Sequence, residues 1–400
     1  MKRSQRLSLL LLIFLWPLVA QCGEISQYDY NKINAAQTLL SNNHPKQAQA
    51  QMVKFLADLG NSSRHEYSKA LAQLVLGRSA LALNQNQQAL QAFNDAYESK
   101  QLEEKQSQSL LLTIAQLQLN LKKWQQGVNS LTQWLKITPT KEHKANHYYL
   151  LSYGYYELKE WTNGLTAIKT ALHMKPSAST NWYQLGIAIA IRQKNWTIAQ
   201  DWQRVVVIRS PNQINQWQQL TSLELRAKHP KKALASMRMA WQRDLFNSSE
   251  HYQLLMQLAA SQHIPYLAAQ VMQDGFAKKK LKRTKDNLQQ WASLLNQSRQ
   301  YKQALTPLKE LAERYPSKEH YQNYLSTLLV THQWQQVIEL QQKAQHHHAD
   351  SPQLQLDAAI AACQLKKFNQ AKSLFEPLVH HQQLADQAKA WLSYIAQVNA

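Results

Sequence analysis

The chain of 400 residues has few cysteines, glycines and acidic side chains. Its cysteines are Cys22 and Cys363, and Cys22 lies at the far end of the chain or is removed, so a disulfide framework is excluded. Beyond residue 20 no apolar run is long enough to span a membrane. Lys and Arg number 45 against 25 Asp and Glu, for a formal net charge of +20. The fold must therefore be stabilised by packing of its Trp, Tyr and Leu side chains.

The motifs of the common enzyme classes are also absent. The sequence has no P-loop, no G-x-G-x-x-G after a strand, no H-E-x-x-H and no G-x-S-x-G elbow. Three consecutive histidines, His346 to His348, would point in different directions on a helix, and no Cys, Asp or Glu stands at ligand spacing before Asp350. The sequence therefore predicts neither an enzyme nor a metal or cofactor site.

The main feature that is present is a helical repeat, seen most clearly between residues 182 and 211. Leu185, Ile189 and Ile191 form an apolar face at helical spacing, and Gly186 leaves room for a closely approaching partner helix. Ala199 lies in a second amphipathic segment, which Pro211 ends because proline cannot continue the helical hydrogen bonds. The segment predicts a helical hairpin, which needs similar neighbours to cover its apolar face.

The same pattern recurs along the chain: an aromatic residue or Pro, two residues, and then a small residue or Val. Successive small residues lie 33 to 41 positions apart, close to a 34-residue helical repeat. The pattern stands at Pro45/Ala48, Asn86/Ala89 (with a polar first member), Trp124/Gly127, Trp161/Gly164, Trp196/Ala199, Pro230/Ala233, Tyr266/Ala269, Tyr301/Ala304, Trp334/Val337 and Phe368/Ala371.

This pattern resembles the tetratricopeptide repeat (TPR), whose W-x2-L-G motif matches Trp182, Leu185 and Gly186. The resemblance implies an all-α fold, a TPR α-solenoid in which helical hairpins form a right-handed superhelix. We expect irregular N-terminal hairpins over residues 24–101, a TPR array over 102–383 and a capping helix over 384–400.

Residues 1–23 have the layout of a secretory signal peptide. Lys2, Arg3 and Arg6 precede a short apolar run from Leu7 to Ala20, which predicts export. An uncleaved N-terminal anchor is the alternative. Cys22 raises the further alternative of a lipoprotein, although Gln21 stands where a lipobox requires a small residue.

By the resemblance, the concave wall of a TPR array is built from the first helix of each hairpin. The positions three before, one after and four after each small residue lie on one side of that helix. They predict a peptide-binding groove of aromatic, amide and hydroxyl groups, in which tyrosine rings hold a peptide and amides satisfy its backbone. Its candidate residues are Tyr149, Tyr153, Tyr156, Tyr183, Gln218, Ser222, Arg226 and Gln289. Arg226 is included because it adjoins one of these positions. Packing of these tyrosines against a neighbouring hairpin is the alternative.

Residues 275–285 read GFAKKKLKRTK and form the densest basic stretch. One interpretation is a solvated loop. The other is a patch for an acidic protein or an anionic lipid surface, nucleic acid being excluded as a partner if the chain is exported. The candidate residues of this patch are Lys278, Lys279, Lys280, Lys282 and Arg283.

Three stretches resemble the exported TPR proteins encoded beside TonB/ExbB/ExbD-type energy-transduction systems of Gram-negative bacteria. They are WQQLTSLELR at 217–226, HIPYLAAQVMQ at 263–273 and AKAWLSYIAQV at 388–398. The resemblance implies a non-enzymatic periplasmic scaffold for TonB-dependent transport, with a TonB or ExbD-like component as its partner. A membrane-attached adaptor of envelope biogenesis, anchored through Cys22, is the alternative.

Overall fold

The computed structural model describes residues 25–60, 63–347 and 351–398, and these residues form helices and turns without any β-strand. The predicted all-α fold is confirmed. The predicted signal peptide and Cys22 lie outside the described residues, as do His348 and Asp350. No described helix combines the length and apolar character needed to cross a membrane.

The described residues contain 21 α-helices. Three short 3₁₀ segments lie at 63–65, 140–142 and 376–380. The helices are α1 Gln27–Ser41, α2 Pro45–Leu59, α3 Glu66–Ala82, α4 Asn86–Glu98, α5 Glu104–Asn120, α6 Trp124–Ile137, α7 Ala145–Glu157, α8 Trp161–Met174, α9 Thr180–Arg192, α10 Trp196–Arg209, α11 Ile214–Arg226, α12 Pro230–Gln242, α13 Ser249–Ser261, α14 Pro265–Ala277, α15 Lys285–Gln297, α16 Tyr301–Arg314, α17 Lys318–Val330, α18 Trp334–His346, α19 Pro352–Gln364, α20 Phe368–Phe375 and α21 Ala385–Val398.

The helices pair into ten tandem hairpins followed by α21, and each odd-numbered helix packs against the even-numbered helix that follows it. This is the arrangement that the TPR pattern predicts. The chain divides into two compact units, one ending at Arg209 and the other beginning at Ser210. The first unit contains α1 to α10, and the second contains α11 to α21. Within each unit, the second helix of one hairpin also packs against the first helix of the next.

Each hairpin turn closes through the same two backbone hydrogen bonds. In the fifth hairpin, the N–H of Lys194 donates to the carbonyl of Ile191 (3.0 Å), and the N–H of Asn195 donates to that of Ala190 (2.8 Å). This pairing is the Schellman motif. It places Lys194 in the left-handed region at φ 56°, where Gly and Asn are usual. The equivalent residues of the ten turns are Asn43, Asn84, Lys122, Lys159, Lys194, Lys228, His263, Arg299, His332 and Lys366.

In two hairpins, close packing against an aromatic ring of the second helix requires the small residue of the first helix to be glycine. A Cβ atom added to Gly186 would lie 2.7 Å from the ring of Trp202 on α10. Gly77 of α3 meets the ring of Phe93 on α4 in the same way. The predicted close approach at Gly186 is therefore confirmed, and its partner is an indole ring.

The predicted capping helix is α21, which follows the tenth hairpin. Ala388 and Ile395 are buried, and the ring of Trp391 stacks on that of Phe375 with centroids 6.1 Å apart. The second cysteine of the sequence, Cys363 of α19, is a buried free thiol. Apolar packing therefore closes this end of the second unit, as the sequence predicts.

Candidate functional site

Six aromatic side chains form three contacting pairs in the first unit; we call them the aromatic cluster. Tyr149 stacks on Trp182 with centroids 4.5 Å apart, and Tyr153 meets Trp124 edge to face at 5.6 Å. Tyr156 meets Trp161 at 5.6 Å. All six are half-buried, so part of each side chain is packed and part is accessible to solvent. The members of the aromatic cluster are Trp124, Tyr149, Tyr153, Tyr156, Trp161 and Trp182.

The backbone of α7 explains why the three tyrosines lie together. Tyr149, Tyr153 and Tyr156 follow one another at spacings of four and three residues, which places them on one face of a helix. Trp182 lies on α9, the first helix of the next hairpin. The face therefore extends from one hairpin to the next, as a groove built from first helices requires.

The hydroxyls of Tyr149 and Tyr153 are hydrogen-bonding groups that stay protonated at physiological pH. Burial raises the pKa of Tyr149. Burial also raises the pKa of Tyr153, with a further contribution from the carboxylate of Glu157. Rigid rings with neutral hydroxyls are suited to hold an extended peptide, because they offer apolar area and donors at a small cost in side-chain entropy.

A surface cavity of about 440 Å³ adjoins the cluster at Trp161. The guanidinium of Arg192 lies 5.9 Å from the centroid of the Trp161 ring, a cation–π contact. Amide and hydroxyl groups complete the wall, and Gln193 Nε2 donates to Thr162 Oγ1 at 3.0 Å. The cavity thus offers an aromatic ring and a cation side by side. Its lining residues are Lys159, Glu160, Trp161, Thr162, Asn163, Arg192 and Gln193.

The prediction that Tyr183 lines the groove is wrong. Its side chain is only 6% exposed, and its hydroxyl donates to the carbonyl of Pro176 at 2.8 Å. The guanidinium of Arg209 lies 4.7 Å from its ring centroid and donates to the carbonyls of Pro176 and Ala178. The loop before α9 therefore covers the ring. Trp182, the preceding residue, occupies the accessible position instead.

The predicted polar residues of the groove lie in the second unit. Gln218, Ser222 and Arg226 follow each other on α11 at four-residue spacing, and the last two are exposed. Gln289 of α15 is half-buried, and its Nε2 donates to Nε2 of His320 on α17 at 3.0 Å. The amide nitrogen of Gln289 therefore links two hairpins, which is a structural contact that the sequence pattern does not reveal.

The predicted basic patch lies in the loop between α14 and α15, but two of its five cations are held by the protein's own carboxylates. Lys278 Nζ lies 2.5 Å from Asp244 and 3.2 Å from Asp274, and its bond to Asp244 raises the pKa of Lys278. Arg283 pairs with Glu310, with Nε to Oε2 at 2.9 Å. These pairs correct the predicted patch to three exposed lysines, Lys279, Lys280 and Lys282.

The histidine-rich segment, for which the sequence predicts no metal site, begins at the end of α18. The rings of His346 and His347 meet edge to face at 5.2 Å. Within the ranges that the structure describes, no group of three His, Cys, Asp or Glu side chains could hold a metal ion.

Comparison with known proteins supports the repeat. Residues 33–104 match the family model of the tetratricopeptide repeat. The match covers most of the two N-terminal hairpins, residues 24–101, which the sequence pattern predicts to be irregular. No curated protein matches the sequence. The repeat and the tandem hairpins together give a TPR-type α-solenoid, a fold that implies a protein–protein interaction scaffold, and no enzymatic family is indicated.

Solved TPR structures are similar to the chain at low identity. A TPR protein from Parabacteroides merdae is 12% identical with a TM-score of 0.36, covering 68% of this chain and 100% of its own. YrrB, described as a TPR protein with an unusual peptide-binding site, is 12% identical with a TM-score of 0.35, covering 43% and 84%. The TPR domain of P58(IPK) is 12% identical with a TM-score of 0.26, covering 92% and 98%.

Proposed function

We propose that the protein is a non-enzymatic scaffold of the cell envelope that binds an extended segment of a partner protein on the aromatic cluster. The observation that carries the proposal is the accessible aromatic face of Tyr149, Tyr153 and Trp182, which runs from the fourth hairpin to the fifth. Trp and Tyr are among the residue types that most often dominate binding energy at interfaces.

We place this scaffold in the periplasm as an accessory of TonB-dependent transport. The basic leader and short apolar run of residues 1–23 support export. The stretches at 217–226, 263–273 and 388–398 support the TonB association by resemblance. The partner is then a flexible periplasmic segment of the transducer or of an ExbD-like subunit, which can lie along the aromatic face.

A pull-down from envelope extract tests the partner, with bound proteins identified by mass spectrometry. The wild-type protein is compared with a Tyr149→Ala, Tyr153→Ala variant. The matched control is Tyr28→Ala, because Tyr28 is an exposed tyrosine of α1, outside the cluster. Circular dichroism of each variant checks that the helices remain intact.

We expect a TonB or ExbD-like component in the wild-type and control lanes, and a loss of affinity of at least tenfold in the cluster variant. The estimate follows from about 2 kcal/mol for each buried aromatic anchor. Absence of such a component from the wild-type lane would exclude the proposed partner. Equal recovery by the cluster variant would exclude the aromatic cluster as its binding surface.

A further inference from the structure

The hairpins of the second unit have two unlike edges. The turn edge consists of the ends of the first helices, the hairpin turns and the first turns of the second helices. The loop edge consists of the loops that connect one hairpin to the next. On the turn edge the ninth and tenth hairpins are in contact, since Lys367 Nζ donates to Gln335 Oε1 of the preceding hairpin at 2.7 Å. The turn edge comprises residues 225–233, 260–268, 296–304, 329–337 and 363–371.

Several cations on the loop edge are paired with carboxylates. Lys278 pairs with Asp244 and Asp274, and Arg283 pairs with Glu310. Lys343 lies 3.3 Å from Glu313 of the preceding hairpin. Lys279, Lys280 and Lys282 stay exposed on this edge, but the edge also carries carboxylates beside its cations.

The turn edge has cations without carboxylates. Its five segments contain eight Lys or Arg residues and no Asp or Glu. None of the second helices α12, α14, α16, α18 and α20 has an acidic residue in its first turn, although carboxylates are favoured at helix N-termini. Six exposed cations of this edge make no ion pair within the described residues: Lys228, Lys231, Lys232, Arg299, Lys302 and Lys366.

Exposed apolar side chains lie among these cations. Val330 at the end of α17 is 55% exposed, and Ile264 in the turn before α14 is 40% exposed. Leu225 and Tyr266 are exposed to a similar extent. Four of the seven large apolar side chains that the described part of the second unit exposes thus lie on the turn edge, the others being Met239, Tyr394 and Val398.

We propose that the turn edge of the second unit docks on an anionic phospholipid membrane. Lys and Arg side chains attract lipid phosphates, and their apolar stems can lie along the headgroup region. Exposed Leu, Ile, Val and Tyr side chains gain by entering the boundary between headgroups and acyl chains. An acidic protein would match the cations alone, whereas a lipid surface matches both the cations and the apolar side chains.

Cosedimentation of the full chain with vesicles tests this docking. Vesicles of phosphatidylcholine with a minor fraction of phosphatidylglycerol are compared with vesicles of phosphatidylcholine alone. The charge variant is Lys228→Gln, Lys231→Gln, Lys232→Gln on the turn edge. Its matched control is Lys285→Gln, Lys309→Gln, Lys389→Gln, at exposed lysines of the second unit outside the turn edge and outside the predicted basic patch, which removes the same charge. The apolar run of residues 7–20 contributes equally to both variants.

We expect the wild-type protein to bind preferentially to the phosphatidylglycerol vesicles. The turn-edge variant should lose about a hundredfold in affinity for them, because each basic residue near an anionic surface contributes about fivefold to the affinity. The control variant should lose much less. Equal loss in both variants, or no preference of the wild-type protein for phosphatidylglycerol, would overturn the proposal.

A second variant separates a membrane from an acidic polymer. Ile264→Ser with Val330→Ser should lower vesicle binding about tenfold, because two apolar side chains no longer enter the lipid. Binding to polyglutamate in solution should be unaffected by the same change. Polyglutamate binding that depends on Lys228, Lys231 and Lys232, without vesicle binding, would assign the edge to an acidic protein and refute membrane docking.

Discussion

Tyr149 of α7 and Trp182 of α9 stack face to face, with ring centroids 4.5 Å apart and ring planes inclined by only 4°. The two residues belong to the first helices of consecutive hairpins. Their contact therefore lies on the accessible aromatic cluster and also contributes to the interface between repeats. Binding and stability are linked at this pair, so a substitution there has to be examined for both.

Replacing both members of this pair should reveal their coupling. The free energies of unfolding of Tyr149→Leu, Trp182→Leu and the double variant form a cycle with the wild-type protein. We expect a coupling energy of about 0.5–1.5 kcal/mol, the usual value for aromatic pairs beyond their buried area. Chemical denaturation followed by circular dichroism measures it. Combining Trp182→Leu with Tyr28→Leu should be additive, and additivity for the Tyr149 cycle would contradict the stacking.

Gly186→Ala should destabilise the fifth hairpin. The new methyl group would lie 2.7 Å from the ring of Trp202, too close for carbon atoms, so α9 and α10 must separate or the ring must move. We expect a loss of about 1–3 kcal/mol, as for other overpacked cores. In a Trp202→Leu background the same substitution should cost clearly less. An equal cost in both backgrounds would show that the indole ring is not the obstacle.

Lys194→Gly should stabilise the fifth hairpin. Lys194 has φ 56°, a conformation that costs a non-glycine residue about 1–2 kcal/mol. Glycine removes this cost, but part of the gain is offset by the greater freedom of glycine in the unfolded chain. The net stabilisation is then about 0.5 kcal/mol. Lys169→Gly, at an exposed position inside α8, should instead destabilise by about 1 kcal/mol. Thermal denaturation of both variants should show shifts of opposite sign.

The stability of the first unit should fall in mild acid because of His147. Burial first, and then the charge of Lys144 and the neighbouring His143, lowers the pKa of His147 from 6.5 to about 4. The unfolded chain takes up a proton near pH 6.5 while the folded chain resists it, so the free energy of unfolding decreases as pH falls through this interval. The expected contribution is about 1.4 kcal/mol per pH unit.

Denaturation of the wild-type protein and of His147→Gln between pH 7 and 4 measures this contribution. The variant should start less stable at neutral pH, since it loses the ring contact with Trp134 at 4.5 Å. Its stability should depend less steeply on pH. Parallel pH curves for the two proteins would show that His147 takes up its proton equally in the folded and unfolded states.

The hairpins and their turns could be predicted because their determinants are close together in the sequence. A small residue in the first helix, a turn and an aromatic residue or Pro at the start of the second helix all fall within about 13 residues. Local signals of this kind set helix boundaries by capping and by close packing. The second hairpin, α3 and α4, follows the predicted pattern, and the wider spacing before it comes from longer helices, since α2 has 15 residues and α3 has 17.

Local sequence signals do not predict the contacts that a helix makes with the loops and helices around it. Tyr183 stands at the same position relative to Gly186 as Tyr149 does to Ser152, yet it is covered because Arg209 and the loop at Pro176 pack on it. Lys278 finds Asp244 34 residues earlier. Spacing along one helix predicts which face a side chain occupies, but it carries no information on what the other helices and loops place opposite. Export and the TonB association remain predictions.

Because every hairpin turn closes through the same two backbone hydrogen bonds, its conformation does not depend on the hairpins before and after it. The loss or duplication of one hairpin would join chain ends that already have equivalent conformations and equivalent packing faces. An array of this kind can therefore change its length in steps of one repeat while every remaining junction is preserved. Length variants that differ by a whole hairpin should fold, whereas those that differ by a single helix would leave one apolar face uncovered.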